Sequence, residues 1–139
     1  MQVSGGLILF KKSDYPFKIY YEDTDLAGIV YYANYFKFIE RARTEMLNDA
    51  NVNQNEMLKS GYYFVVKNLK ADYLKPAYFE DSLNVVTEIE KINNASINLI
   101  QTIVRSNDSL FIASVRLALL DKFGKVARLP ANIRQLLKS

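Results

Sequence analysis

The chain has 139 residues, 50% of them hydrophobic and 24% charged, which suits one domain with a single sizeable core. It contains no cysteine and no histidine. That excludes disulfides, thiolate or histidine metal ligands, a cysteine nucleophile and any triad built on histidine. General acid–base work therefore falls to Asp, Glu, Lys, Tyr or water. The net charge of +3 is too mild to imply a nucleic-acid partner.

Residues 1–15 read as a loose lead-in. Leu7–Phe10 is a short apolar run behind Gly5 and Gly6, less than a signal peptide needs. No stretch approaches the roughly 18 apolar residues of a membrane span, so a cytoplasmic protein with no integral membrane segment is the default. Phe17–Glu22 alternates and is rich in β-formers, which predicts a strand. Asp23–Tyr31 is a loop in which Gly28 can take a backbone conformation few residues accept.

From Tyr32 to about Asp49 the period becomes helical. Tyr35, Phe38, Ile39, Ala42 and Met46 form one apolar stripe, with Lys37, Arg41, Arg43 and Asn48 largely elsewhere. Residues 51–61 read as a loop with a short helical turn, stopped by Gly61. Strands are then predicted at Tyr62–Leu74, Ser82–Asn93, Ser96–Ser106 and Leu110–Asp121. Turn signals at Lys75-Pro76, Asn93-Asn94, Asn107-Asp108 and Phe123-Gly124 separate or end them. Connections this short imply antiparallel hairpins. Pro130 precedes a short helix or tail at Ala131–Leu137.

This order predicts an α+β fold, with one long helix packed on an antiparallel sheet across a single domain. Such a sheet has open edges, which a second copy can cover. The charge is uneven. Asp121–Ser139 holds Lys122, Lys125, Arg128, Arg134 and Lys138 against Asp121 alone, leaving the remainder of the chain at −1. A solvated basic tail accounts for this, as does a contact to the phosphates of a ligand.

Asp25 stands just ahead of the predicted helix start. The free N–H groups of a helix start can polarise a carbonyl beside such a carboxylate. Taken alone, an Asp in that position also reads as a turn cap.

The segment D-T-D-x-x-G-x-V-Y-x-A-N-Y-x-x-x-x-E-x-A-R-x-E, from Asp23 to Glu45, resembles the signature of hotdog-fold acyl-CoA thioesterases. It is most similar to the 4-hydroxybenzoyl-CoA thioesterase family and its branch associated with the Tol-Pal system. Gly61 with Phe64–Val66, Tyr73 with Lys75-Pro76-Ala77, Asp81, and Leu129-Pro130 extend the likeness over residues 17–130. The resemblance implies a five-stranded antiparallel sheet wrapped around the helix. It also implies homodimers or homotetramers with active sites at the dimer interface, and hydrolysis of an acyl-CoA without metal or cofactor.

Carried over by position, Asp25 is the catalytic carboxylate, acting as nucleophile or general base. The main-chain N–H of Tyr32 holds the thioester oxygen. Where the Tol-Pal-associated branch resembles V-Y-H-A-N-Y, this chain has Tyr32 in place of the histidine. The substitution moves the weight onto the main chain.

Gly28 serves the turn and leaves room for the substrate. Tyr35, Tyr62 and Tyr63 border the acyl group or simply pack. Lys125, Arg128 or Arg134 meets the nucleotide phosphates. Asp23 reads as a structural loop residue, Asn34 as a capping residue, and Glu40 with Arg43 as a structural ion pair. The alternative function is a non-catalytic module that binds acyl chains or an acyl carrier protein. A dehydratase on a similar fold is disfavoured by the missing histidine.

Overall fold

The computed structural model describes residues 9–139. Five strands form one antiparallel sheet: β1 (Lys12–Lys18), β2 (Tyr62–Tyr73), β3 (Ser82–Ile92), β4 (Ser96–Arg105) and β5 (Asp108–Asp121). Their spatial order is β1-β3-β4-β5-β2, so β1 and β2 are the two edges. The long helix α1 (Asn34–Asp49) leads into a short α2 (Gln54–Lys59), and α3 (Ala131–Leu136) follows β5. This is the expected hotdog arrangement. No helix of the described residues is long and apolar enough to cross a membrane.

The apolar stripe of α1 settles on one face of the sheet. Tyr35, Phe38, Ile39, Ala42 and Met46 are all buried, joined by Leu47. Opposite them β4 alternates strictly, burying Ile97, Leu99, Gln101 and Ile103, as a period of two requires. Each buried aliphatic or aromatic side chain contributes about 1.5–3 kcal/mol. One polar residue interrupts this layer. Gln101 is fully buried, and its amide donates to the Ile39 carbonyl at 2.8 Å and to Thr87 Oγ1 at 3.0 Å. Its carbonyl oxygen accepts from Arg43 at 3.0 Å. Helix and sheet are thus pinned as well as packed. The expected Glu40–Arg43 ion pair is replaced: Glu40 accepts from the Thr44 hydroxyl, and Arg43 reaches inward to Gln101 instead.

The first strand departs from expectation. It runs over Lys12–Lys18, earlier than Phe17–Glu22, and pairs with β3 from Lys12↔Glu88 to Lys18↔Ser82. Residues 12–15 are therefore structured, while residues 1–8 lie outside the described part. Pro16 disguises the strand in the sequence, and an edge strand tolerates it because no second neighbour needs its missing N–H. Beyond it the chain turns through a short 3-10 helix at Tyr21–Asp23. The other four strands lie within two residues of their predicted ends.

Candidate active site

The segment after the 3-10 helix folds back on itself. Thr24 bridges Val30, the Asp25 N–H donates to the Ile29 carbonyl at 2.9 Å, and the Gly28 N–H donates to the Asp25 carbonyl at 3.0 Å. Asp25 Oδ1 accepts from the Ala27 N–H at 3.0 Å, an Asx-type turn. Gly28 sits at φ 80°, a region that excludes most side chains. A Cβ placed there would meet nothing within 4 Å, so the space around it is open. The Asp25 side chain is exposed. Asp25 caps a turn, one of the two readings of the sequence, and its other carboxylate oxygen accepts no hydrogen bond from the described residues.

This loop is tied to the start of α1. The Asp23 carbonyl accepts from the Tyr31 N–H at 3.0 Å and from the Asn34 side-chain amide at 2.9 Å. Asp23 Oδ2 accepts from the Tyr20 N–H at 2.9 Å. Asp23 is therefore the structural loop residue expected, whereas Asn34, expected to cap, is the first residue of the helix and braces the loop through its side chain instead. From behind, Ile29 bridges Tyr78, and the Val30 N–H reaches the Ala77 carbonyl at 2.9 Å. That backing segment is itself held by a half-buried ion pair, Arg105 to Asp81 at 2.7 Å, with Arg105 also bonding the Pro76 carbonyl at 3.2 Å.

The helix begins two residues later than expected, at Asn34 with Ala33 as its cap. Tyr32 belongs to the preceding turn, closed by the Asn34 N–H donating to the Tyr31 carbonyl at 2.9 Å. Neither the Tyr32 N–H nor the Ala33 N–H donates to any described residue. Two outward main-chain donors at the positive end of α1 can bind an oxygen that carries partial negative charge.

Beside them lies a cavity of about 290 Å³, lined by Ile29, Val30, Tyr32, Tyr35, Tyr73 and Leu74 with the Lys75-Pro76 turn. Tyr35 is buried at its floor, stacked on Phe111 with centroids 5.0 Å apart. Burial pushes the Tyr35 phenol above its ordinary range, and it pushes Tyr73 upward as well. Tyr31 is also raised, chiefly by the neighbouring Tyr32 phenol.

Tyr32 and Tyr35 line this cavity together, whereas Asp25 and Gly28 lie on the adjoining loop, joined to it through the Asp25 N–H bond to Ile29. Tyr62, Tyr63, Lys125 and Arg128 are not part of this cluster within one chain. Tyr62 and Tyr63 open β2 and pair with Asp121 and Leu120, whereas Tyr73 closes the strand. At about 3.3 Å per residue the two ends of β2 are roughly 36 Å apart. Lys125 and Arg128 follow β5 at the Tyr62 end, both exposed, while Arg134 is engaged by the Asn93 carbonyl at 2.6 Å. Ile29, Val30, Tyr73 and Leu74 line the cavity without having been assigned to the site, although Val30 and Tyr73 stand in the stretches that carried the likeness. The Lys75-Pro76 turn was their signal, because it folds the end of β2 back over the helix start.

The thioesterase-like superfamily profile matches residues 20–137. The chain belongs to that superfamily. It is 42% identical over 108 residues to the acyl-CoA thioesterase YbgC of Haemophilus influenzae, covering 77% of this chain and 79% of that one. It is 40% identical over 96 residues to the acyl-CoA thioester hydrolase YbgC of Escherichia coli, covering 69% and 72%. Among solved structures, a probable thioesterase from Bartonella henselae superposes with a TM-score of 0.80 at 34% identity, covering 86% of this chain and all of that one. Its place in the thioesterase-like superfamily fits a sheet, helix and exposed loop arranged as described.

Proposed function

We propose that the protein hydrolyses an acyl-CoA thioester to a carboxylic acid and free coenzyme A. Asp25 acts as nucleophile or as general base toward water, and the Tyr32 N–H holds the carbonyl oxygen as charge develops on it. The oxygen of water ends on the acyl carbon, the carbon–sulfur bond breaks, and the sulfur leaves as thiolate or thiol. The observation that carries this reading is the brace at Asp23, whose carbonyl joins the Asp25 loop to the start of α1. The named activities of the two YbgC relatives support it. We place the reaction in the cytoplasm.

The same proposal includes a second copy of the chain. The β2 edge is 12 residues long and carries exposed Tyr62, Tyr63, Val66 and Tyr73, whereas β1 is short and holds Pro16. Antiparallel pairing of β2 with its two-fold mate lays the Tyr62 end of one copy against the Tyr73 end of the other. Tyr62, Tyr63, Lys125 and Arg128 of the mate then approach the cavity beside Tyr32, the lysine and arginine suiting coenzyme A phosphates. A tetramer is a dimer of such pairs.

The test is turnover of a panel of acyl-CoAs and of an acyl group on acyl carrier protein. Wild type is expected to release thiol, and Asp25→Asn to lose at least about 10²-fold in kcat. Near-wild-type turnover in the variant would remove Asp25 from the role. Tight acyl or carrier-protein binding without hydrolysis would favour the binding-module alternative.

A further inference from the structure

Tyr73 is held on several sides. Its ring stands edge-on to Tyr35, with centroids 5.3 Å apart, and to Phe111 at 5.0 Å. Its backbone is paired with Phe111 across β2 and β5. From this fixed ring the hydroxyl donates to the Tyr32 carbonyl oxygen at 2.8 Å. That oxygen lies ahead of the helix and is reached by no main-chain N–H of the described residues. Water alone could satisfy an exposed carbonyl, so a clamped phenol there calls for another explanation.

The Tyr32 carbonyl and the Ala33 N–H belong to one planar peptide unit. A donor on the oxygen fixes the plane and draws charge through it, which strengthens the N–H on its other side as a donor. The Ala33 N–H has no acceptor among the described residues, and Ala33 is already helical at φ −72°, ψ −20°. Its donor therefore joins the outward row at the start of α1.

We infer that Tyr73 is a positioning residue for the hydrolysis, and that through the Tyr32 carbonyl it holds the Ala33 N–H as a second donor to the thioester oxygen beside that of Tyr32. This rests on the thioesterase reading proposed above. The oxygen gains negative charge only as the tetrahedral intermediate forms, so the second donor acts on kcat more than on ground-state binding.

The experiment measures kcat and KM of wild type, Tyr73→Phe, a variant in which L-lactic acid replaces Ala33 to exchange that N–H for an ester oxygen, and the two changes combined. Tyr73→Phe keeps the stacked ring, and the ester keeps every side chain. Expected is a fall in kcat of about tenfold for Tyr73→Phe and about 10²-fold for the ester, with KM held within about twofold. The two losses should be less than additive, because they act on one donor. A merely structural clamp would instead shift KM or melting temperature and leave kcat of Tyr73→Phe unchanged. Tyr73→Phe or the ester with wild-type kcat overturns the inference while leaving the thioesterase reading intact. Wild type with no turnover of any acyl-CoA or acyl carrier protein substrate overturns both.

Discussion

The Tyr35 phenol accepts the main-chain N–H of Ala77 at 3.1 Å, with Tyr35 only 3% exposed and Ala77 wholly buried. This bond joins the first turn of α1 to the segment behind the Asp25 loop, so the two halves of the candidate site share one buried contact. Tyr35→Phe would keep the stack on Phe111 and strand the Ala77 N–H. The expected cost is about 1–3 kcal/mol, measured by denaturant unfolding. A loss too small to resolve would mean that the bond contributes nothing.

The same residue predicts an alkaline limit. Tyr35 and Tyr73 have phenol pKa values raised in the folded state, mainly by burial. The unfolded chain therefore gives up those protons first. Their contribution is complete below about pH 10 and is lost as the pH climbs through the folded values. Unfolding midpoints across pH 8–11.5 should fall at the alkaline end, and less steeply in Tyr35→Phe. Parallel curves for the two proteins would contradict this.

Gln101→Leu should be costly for its size. Thr87 and Arg43 would lose their partner beneath α1, and burial already holds the Arg43 guanidinium below its ordinary range. We expect a loss of about 1–3 kcal/mol in chemical denaturation. A Leu variant as stable as wild type would show that Gln101 specifies the seat of the helix without stabilising it.

Lys125→Ala and Arg128→Ala together should raise KM for an acyl-CoA by about tenfold with kcat retained, and wild-type KM should climb with salt. Salt-independent KM and unchanged variants would assign these cations to solvent.

Val66→Lys, near the middle of the β2 edge and 45% exposed in one chain, would set like charges close together across the proposed pair. Light scattering should then find monomers at concentrations where wild type is dimeric or larger. Wild type that is monomeric at micromolar concentration would discard the pairing.

Much of this was legible in the residues. The stripe from Tyr35 to Met46 and the alternation in β3, β4 and β5 follow from burial on one face, and burial writes a period into the chain. Strand β1 was hidden because Pro16 and the flanking lysines read as loop, although an edge accepts both. The Asp25 loop was visible through its motif. The role of Tyr73 was not, since it depends on a bond across 41 positions. The Gln101 anchor was likewise invisible, because a buried glutamine has the same letter as a solvated one.

Pro16 has a consequence at a larger scale. A sheet whose one border is short and lacks a donor at Pro16 is, in the proposed pairing, lengthened on the opposite border. Once two copies share that border, only the two short Pro16-bearing edges remain outermost in the same plane, poor templates for a third copy. Assembly along the strand-pairing direction is then finite, a closed particle where two open borders would permit a fibre.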